Sequence, residues 1–306
     1  MNFNELFIKL EKEIPNHFKT LLNKGGMVCY DFQYNIKITN SPIYSLEGSQ
    51  TPSFNHENLL IEIPDVFLRY LWIVNIYIYI NLNVYELQFD KTLEKERLAE
   101  LSLANTTFAT QLLEIGYKYK TEYFEWPDEI WLPGFDFGEQ DFADQMTKSF
   151  LNSILFAYSH EYMHGWYDHY NELKKLALEI GYEDRDIFDK MKIAHELDAD
   201  RTSIRLLLAE DKNYAIPILI FFSATFLLIR EKTTRDHIDL FDRFDLVFDQ
   251  LKIESSNPMW LIPSFIILPD EALSEVPSSI DTLSEQESCE SIYRKMLTEY
   301  RKRYIP

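Results

Sequence analysis

The chain has 306 residues, 46% of them apolar and 15% aromatic, which is side-chain volume enough for one large core, or one core with an appendage. A formal net charge of -20 argues against a nucleic-acid partner, because phosphate backbones are bound by clustered Lys and Arg. The same acidity disperses a protein in solution and by itself names no substrate.

The N-terminal stretch Asn2 to Leu22 is amphipathic, and its charges at Glu5, Lys9, Glu11, Lys12 and Glu13 leave no apolar run of the kind that heads a secreted chain. Cys29 and Cys289 are the only cysteines. They are far apart and lack Cys-x-x-Cys spacing, so neither a disulfide framework nor a thiolate zinc site is indicated, and a cytoplasmic location fits. After Lys24-Gly25-Gly26, the alternation of Met27 to Thr39 reads as strand, and Leu59 to Ile63 reads as a second short strand. Between them Asn40 to Asn58, rich in Asn, Ser, Pro and Gly, reads as a loop. Residues 1–64 are therefore expected to form a helix and a small sheet packed on a mainly helical domain over 65–306.

Asp65, following Pro64, is placed to cap an apolar element running into Leu82. Within it Tyr70 to Tyr85 is interrupted by Asn75, Asn81 and Asn83, whereas a bilayer span needs about 20 clean apolar residues, so a buried element is expected. Lys91 to Tyr117 has apolar residues at three- and four-residue spacing and predicts a long helix. An aromatic loop follows from Tyr123 to Phe137, with Trp126-Pro127 and Trp131-Leu132-Pro133-Gly134. Helical patterns then cover Asp141 to Tyr170 and, after the break from Gly181 to Arg185, Asp186 to Leu208. Tyr214 to Ile229 is apolar but short and contains Pro217, Ser223 and Thr225, which favours a core helix over membrane attachment. The acidic stretch Asp281 to Glu290 reads as a solvated connector before a last helix.

Chemistry concentrates in His160-Glu161-Tyr162-Met163-His164, an HExxH sequence on a predicted helix. Residues four apart share a helical face, so the two imidazoles converge on one tetrahedral cation. Glu161 lies beside the first ligand, where it takes a proton from an attacking water without ligating the metal. A catalytic zinc has three protein ligands, so a third is sought downstream. The pattern HExxHxxGxxH requires glycine at 167 and histidine at 170, where this chain has Tyr167 and Tyr170, and His169 is out of step with it. Glu196, in His195-Glu196-Leu197-Asp198-Ala199-Asp200, is the better candidate, and Asp200 one turn on shares its face. Asp200 is placed to accept the free N–H of a ligating histidine. His195 points elsewhere on the same helix and reads as an ordinary core or surface histidine.

HExxH followed by Glu-x-x-Ala-Asp resembles the gluzincin metallopeptidases, and more narrowly it is similar to the Lit phage-exclusion peptidases of bacteria. The narrower likeness spans roughly residues 60 to 250. It rests on an aromatic apolar segment, a long charged helix, Trp126-Pro127, HExxH, the Glu196 to Asp200 motif, an apolar helix, and His237 with Arg243, in that order. That family usually has proline after the histidine matching His237, and this chain has Ile238. The resemblance implies a mainly helical α+β protein with a zincin-like core, and Zn2+ held by His160, His164 and Glu196. It also implies a cytosolic endopeptidase that cuts a host protein, elongation factor Tu being the partner, to abort phage infection. Under it His237 and Arg243 become donors to the oxyanion of a tetrahedral intermediate, against the plainer reading of a surface salt bridge among Asp236, Asp239, Asp242 and Asp245. Two other functions stay open, a general gluzincin peptidase unrelated to defence and a non-catalytic metal-binding protein. Intact Glu161 counts against the latter, since a structural site has no use for that carboxylate.

Overall fold

A computed structural model describes residues 3–25, 34–39, 51–88, 92, 94–121, 140–180, 185–229, 240–267 and 287–304. Helix α1 (Phe3–Lys24) turns its apolar series Leu6, Leu10, Ile14, Phe18 and Leu21 inward at helical spacing. Strand β1 (Asn35–Thr39) lies parallel to β3 (Leu60–Pro64), and β2 (Ser53–Asn55) pairs antiparallel with the other side of β3, so the sheet order is β1-β3-β2. The loop expected over Asn40 to Asn58 thus contains a strand, too short for its alternation to be read. Asn55 ends it, its side-chain oxygen accepting from the amides of Glu57 at 3.1 Å and Asn58 at 3.2 Å.

Helix α2 (Asp65–Leu87) is buried almost all round from Val66 to Val84, as expected of a helix without a polar face. Its cap differs from expectation. Asp65 is the first helical residue and Pro64 occupies the cap position without a side-chain bond, since its ring carries no hydrogen-bonding group. The carboxylate pairs one turn on with Arg69 at 3.6 Å. Fully buried Asn75 donates to the Met146 carbonyl at 3.0 Å, tying α2 to the helix that carries Met146.

Beyond it come α3 (Lys95–Thr121), packed along α2, and α4 (Gln140–Trp166), α5 (His169–Ile180), α6 (Arg185–Glu210) and α7 (Ala215–Ile229). The chain closes with α8 (Leu240–Leu251), α9 (Ile262–Ile267) and α10 (Cys289–Tyr304). The result is a mainly helical α+β fold. No described helix is long and apolar enough to cross a membrane. In α7 the polar Ser223 and Thr225 are buried and return their hydroxyls to the carbonyls of Leu219 and Phe221, at 2.6 and 2.9 Å. The aromatic loop over 123–137, His237 and most of the acidic connector lie outside the described residues.

Helix α4 is the centre of this arrangement, packed against α2, α6 and α7 and crossed at its C-terminal end by α1 and the sheet. The single helix expected from Asp141 to Tyr170 breaks after Trp166. Asp168 adopts a left-handed backbone with φ 57°, which Asp tolerates better than most residues, and accepts from Asn171 Nδ2 at 2.7 Å, so that α5 starts in a new direction. Near the break the sheet is bolted to α4, since Tyr158 donates to the Tyr34 carbonyl at 2.5 Å and the Tyr34 ring lies 5.0 Å from that of Tyr162.

Gly165 is what permits this approach. A Cβ there would stand 2.7 Å from the Tyr34 ring and 2.8 Å from that of Phe54. Gly165→Ala is expected to cost about 1–3 kcal/mol of folding stability through overpacking, read from urea unfolding of the metal-free protein. Wild-type stability in that variant would mean that both rings retreat freely from α4.

Candidate metal centre

Helix α4 carries His160 and His164 one turn apart, and α6 brings Glu196 against both. Ala199, on the same helix as Glu196, is fully buried. The ring Nε2 atoms of the two histidines are 3.1 Å apart, while Glu196 places one carboxylate oxygen 3.3 Å from His160 Nε2 and the other 3.4 Å from His164 Nε2. Bonds of about 2.0–2.1 Å at tetrahedral angles separate donor atoms by about 3.3–3.4 Å. Two imidazoles and a carboxylate at that spacing therefore fit a zinc ion, and among the described residues they form the one such cluster. Glu196 is a third exposed, so the cluster is not sealed from solvent.

Around the three donors sits a set of buried charges. His160 Nδ1 lies 2.9 Å from Asp200 Oδ1, although the oxygen is off the ring's N–H axis. Asp200 has no exposed surface, and Arg243 of α8 grips it with two bonds, Nε at 2.5 Å and Nη2 at 2.6 Å. The guanidinium rests on the Phe222 ring, 4.8 Å from its centre, and comes within 3.9 Å of Glu196. Helix α8 thus turns Arg243 inward, away from Asp242 and Asp245, which pair with Arg301 and Arg294 of α10. Nε and Nη2 are both committed to Asp200, which leaves Nη1 as the nitrogen not bound to that carboxylate.

These neighbours set the protonation of the metal-free site. Burial pulls His160 down, but the carboxylates of Asp200 and Glu196 overcome it and push its pKa up to about 10. Burial raises Asp200 and Glu196, yet Arg243 and His160 on the first and the two histidines on the second hold both below the usual carboxylate range. Burial and the charge of His160 take His164 down to about 3. Glu161 is buried with an oxygen 4.0 Å from His160 Nε2, and burial raises it to about 7 against the pull of His160, Arg243 and the Phe54 amide of β2. A carboxyl poised near neutrality beside the donor cluster can both take and return a proton.

Three further residues stand here that the sequence does not single out as partners of the site. His169 Nδ1 lies 3.0 Å from His164 Nδ1, its ring is stacked on His195 at 4.0 Å and 2°, and His195 Nε2 is 2.9 Å from Glu172. Both histidines are buried. The only signal in the sequence is a histidine directly before Glu196 and another just past HExxH, which becomes legible once the turn at Asp168 is known.

Over residues 61–262 the sequence matches the family model described as Peptidase U49. No curated protein and no solved structure matches the chain.

Removing Arg243 leaves the Asp200 carboxylate buried without its strongest partner. Arg243→Met is therefore expected to lower folding stability by about 3–5 kcal/mol, and the pair Arg243→Met with Asp200→Leu to recover much of the loss. Equilibrium unfolding of the metal-free variants reads both values, and a single variant as stable as the wild type would show that Asp200 does not need the guanidinium.

Proposed function

The chain belongs to the Peptidase U49 family and hydrolyses peptide bonds, and we propose that it does so as a zinc-dependent endopeptidase with the metal held by His160, His164 and Glu196. The observation that carries this reading is the near-tetrahedral spacing of their donor atoms with the Glu161 carboxyl beside them. Zinc in such a site supplies Lewis acidity, bringing the pKa of a water to about 7 and polarising the scissile carbonyl. Glu161 takes the proton from the attacking water and passes it to the leaving amine. Asp200 orients His160 and keeps its Nε2 turned to the metal, as partners behind metal-binding histidines do. Arg243, through Nη1, and His237 are the proposed donors to the oxyanion.

The sheet supports a protein substrate. Strand β2 is one of the two edge strands of the described sheet, it crosses α4, and the Phe54 amide reaches Glu161. An extended peptide laid along that edge would pair its backbone with β2 and run past the donor cluster. The resemblance to the Lit phage-exclusion peptidases carries the proposal further, to a cytosolic protein cut during phage infection, with elongation factor Tu as the candidate. Mass spectrometry of new protein termini in bacterial cells expressing the active and Glu161→Gln forms tests that substrate, and cleavage scattered over many proteins would favour a general peptidase.

Glu161→Gln keeps the side chain's size and removes its basicity. That variant is expected to fold, bind about one zinc per chain and lose peptide cleavage almost completely. Glu196→Gln is expected to lose metal and activity together, because a neutral amide oxygen is a poorer ligand than a carboxylate. Wild-type cleavage by Glu161→Gln, or full activity after exhaustive chelation, would end the metallopeptidase reading.

A further inference from the structure

The two histidines of the donor cluster are backed in different ways. Behind His160 stands a carboxylate, Asp200. Behind His164 stands another imidazole, and the reading that follows rests on His164 being a metal ligand through Nε2. In that role a neutral imidazole carries its proton on Nδ1, on the side away from the metal. The atom facing that proton at 3.0 Å is His169 Nδ1. Two N–H groups cannot point at each other, so His169 must present a lone pair there and carry its own proton on Nε2.

The rest of the neighbourhood holds the His169 ring in that pose. Its position comes from the turn at Asp168, which swings the first residue of α5 back over the end of α4. One face lies flat on His195 at 4.0 Å, and the Tyr167 ring is stacked 5.4 Å away. Glu172, three residues on along α5, takes His195 Nε2 at 2.9 Å, so a single face of α5 grips the histidine that directly precedes the ligand Glu196. Neither buried histidine has a role in the proton transfers assigned to Glu161.

We propose that His169 is a positioning residue, the acceptor that fixes the tautomer and ring orientation of His164, and that His195 and Glu172 hold it in place from α6 and α5. A neutral acceptor does this without adding a third carboxylate behind the cluster. His164 is thereby left a weaker donor than His160, whose partner is an anion.

The test separates the acceptor from the ring that carries it. His169→Phe keeps the volume and the stack on His195 but has no lone pair, whereas His169→Asn loses the stack but sets a carbonyl oxygen close to the position of Nδ1. Zinc affinity is measured by competition with a chromophoric chelator, and the thermal midpoint of each metal-free variant is recorded beside it. His169→Phe is expected to weaken zinc binding by about 10- to 100-fold with its metal-free midpoint unchanged, and His169→Asn to stay within about threefold of wild type. Wild-type affinity in His169→Phe, or equal weakening in the two variants, overturns the proposal. If His169→Phe does not fold, His169→Leu against His169→Asn gives the same comparison with the ring absent from both. A wild-type chain that takes up no zinc would overturn the metal reading itself, an outcome distinct from a zinc-binding wild type with an indifferent His169→Phe.

Discussion

Asp200 is a carboxylate with no exposed surface, and it must be ionised to receive both Arg243 and His160. A charge in that position is tolerable only when its partners arrive together. They come from three helices: Asp200 from α6, His160 from α4 and Arg243 from α8. Folding the ion pair therefore sets the angle between α4 and α6, and with it the gap across which Glu196 meets the two histidines. The geometry of the donor atoms is thus a by-product of satisfying one buried anion. The flat contact of Arg243 on Phe222 extends the same constraint to α7.

What lies behind α4 gives that constraint something to act against. Helices α2 and α7 are buried over most of their surface and pack on α4 and on each other, bracing its inner face against tilting. Buried polar groups on them find partners inside the protein, Asn75 of α2 on the Met146 carbonyl and Ser223 and Thr225 of α7 on carbonyls of their own helix. Interiors packed this tightly hold position to fractions of an ångström, which a metal site requires.

Much of this is legible in the amino-acid sequence, because it depends on short-range rules. Helical spacing marks α1, α3 and α6, a lack of polar face marks α2 and α7 as core, and HExxH with Glu196 and Asp200 one turn apart names the site at the level of single residues. The remainder depends on where chains turn. Asp168 turns the chain after α4 with no Pro at the break, and the only nearby glycine, Gly165, still lies inside the helix, so the apolar period runs on past the break and α5 merges with its predecessor. That one turn decides whether His169 lies on the far side of a continuing helix or over His164. The pairing of Arg243 with Asp200 spans forty-three residues and has no local signature. In sequence Arg243 stands among nearby aspartates that look like better partners than the distant one it takes. Strand β2 is hidden for a different reason, since three residues that borrow their conformation from β3 show no period of their own.

Glu161, Glu196, Asp200 and Arg243 gather around one point, and when all four are ionised they leave an excess of two negative charges in a largely enclosed space. In the bare protein the raised proton affinities of His160 and Glu161 work against that excess. A dication held as proposed, at the point where the donor atoms converge, would meet it in full. A monovalent ion would leave one charge uncompensated in a medium that screens poorly, and a trivalent one would overshoot by as much. On the proposed metal reading, electroneutrality of the buried groups would discriminate by valence before coordination geometry began to choose among divalent metals.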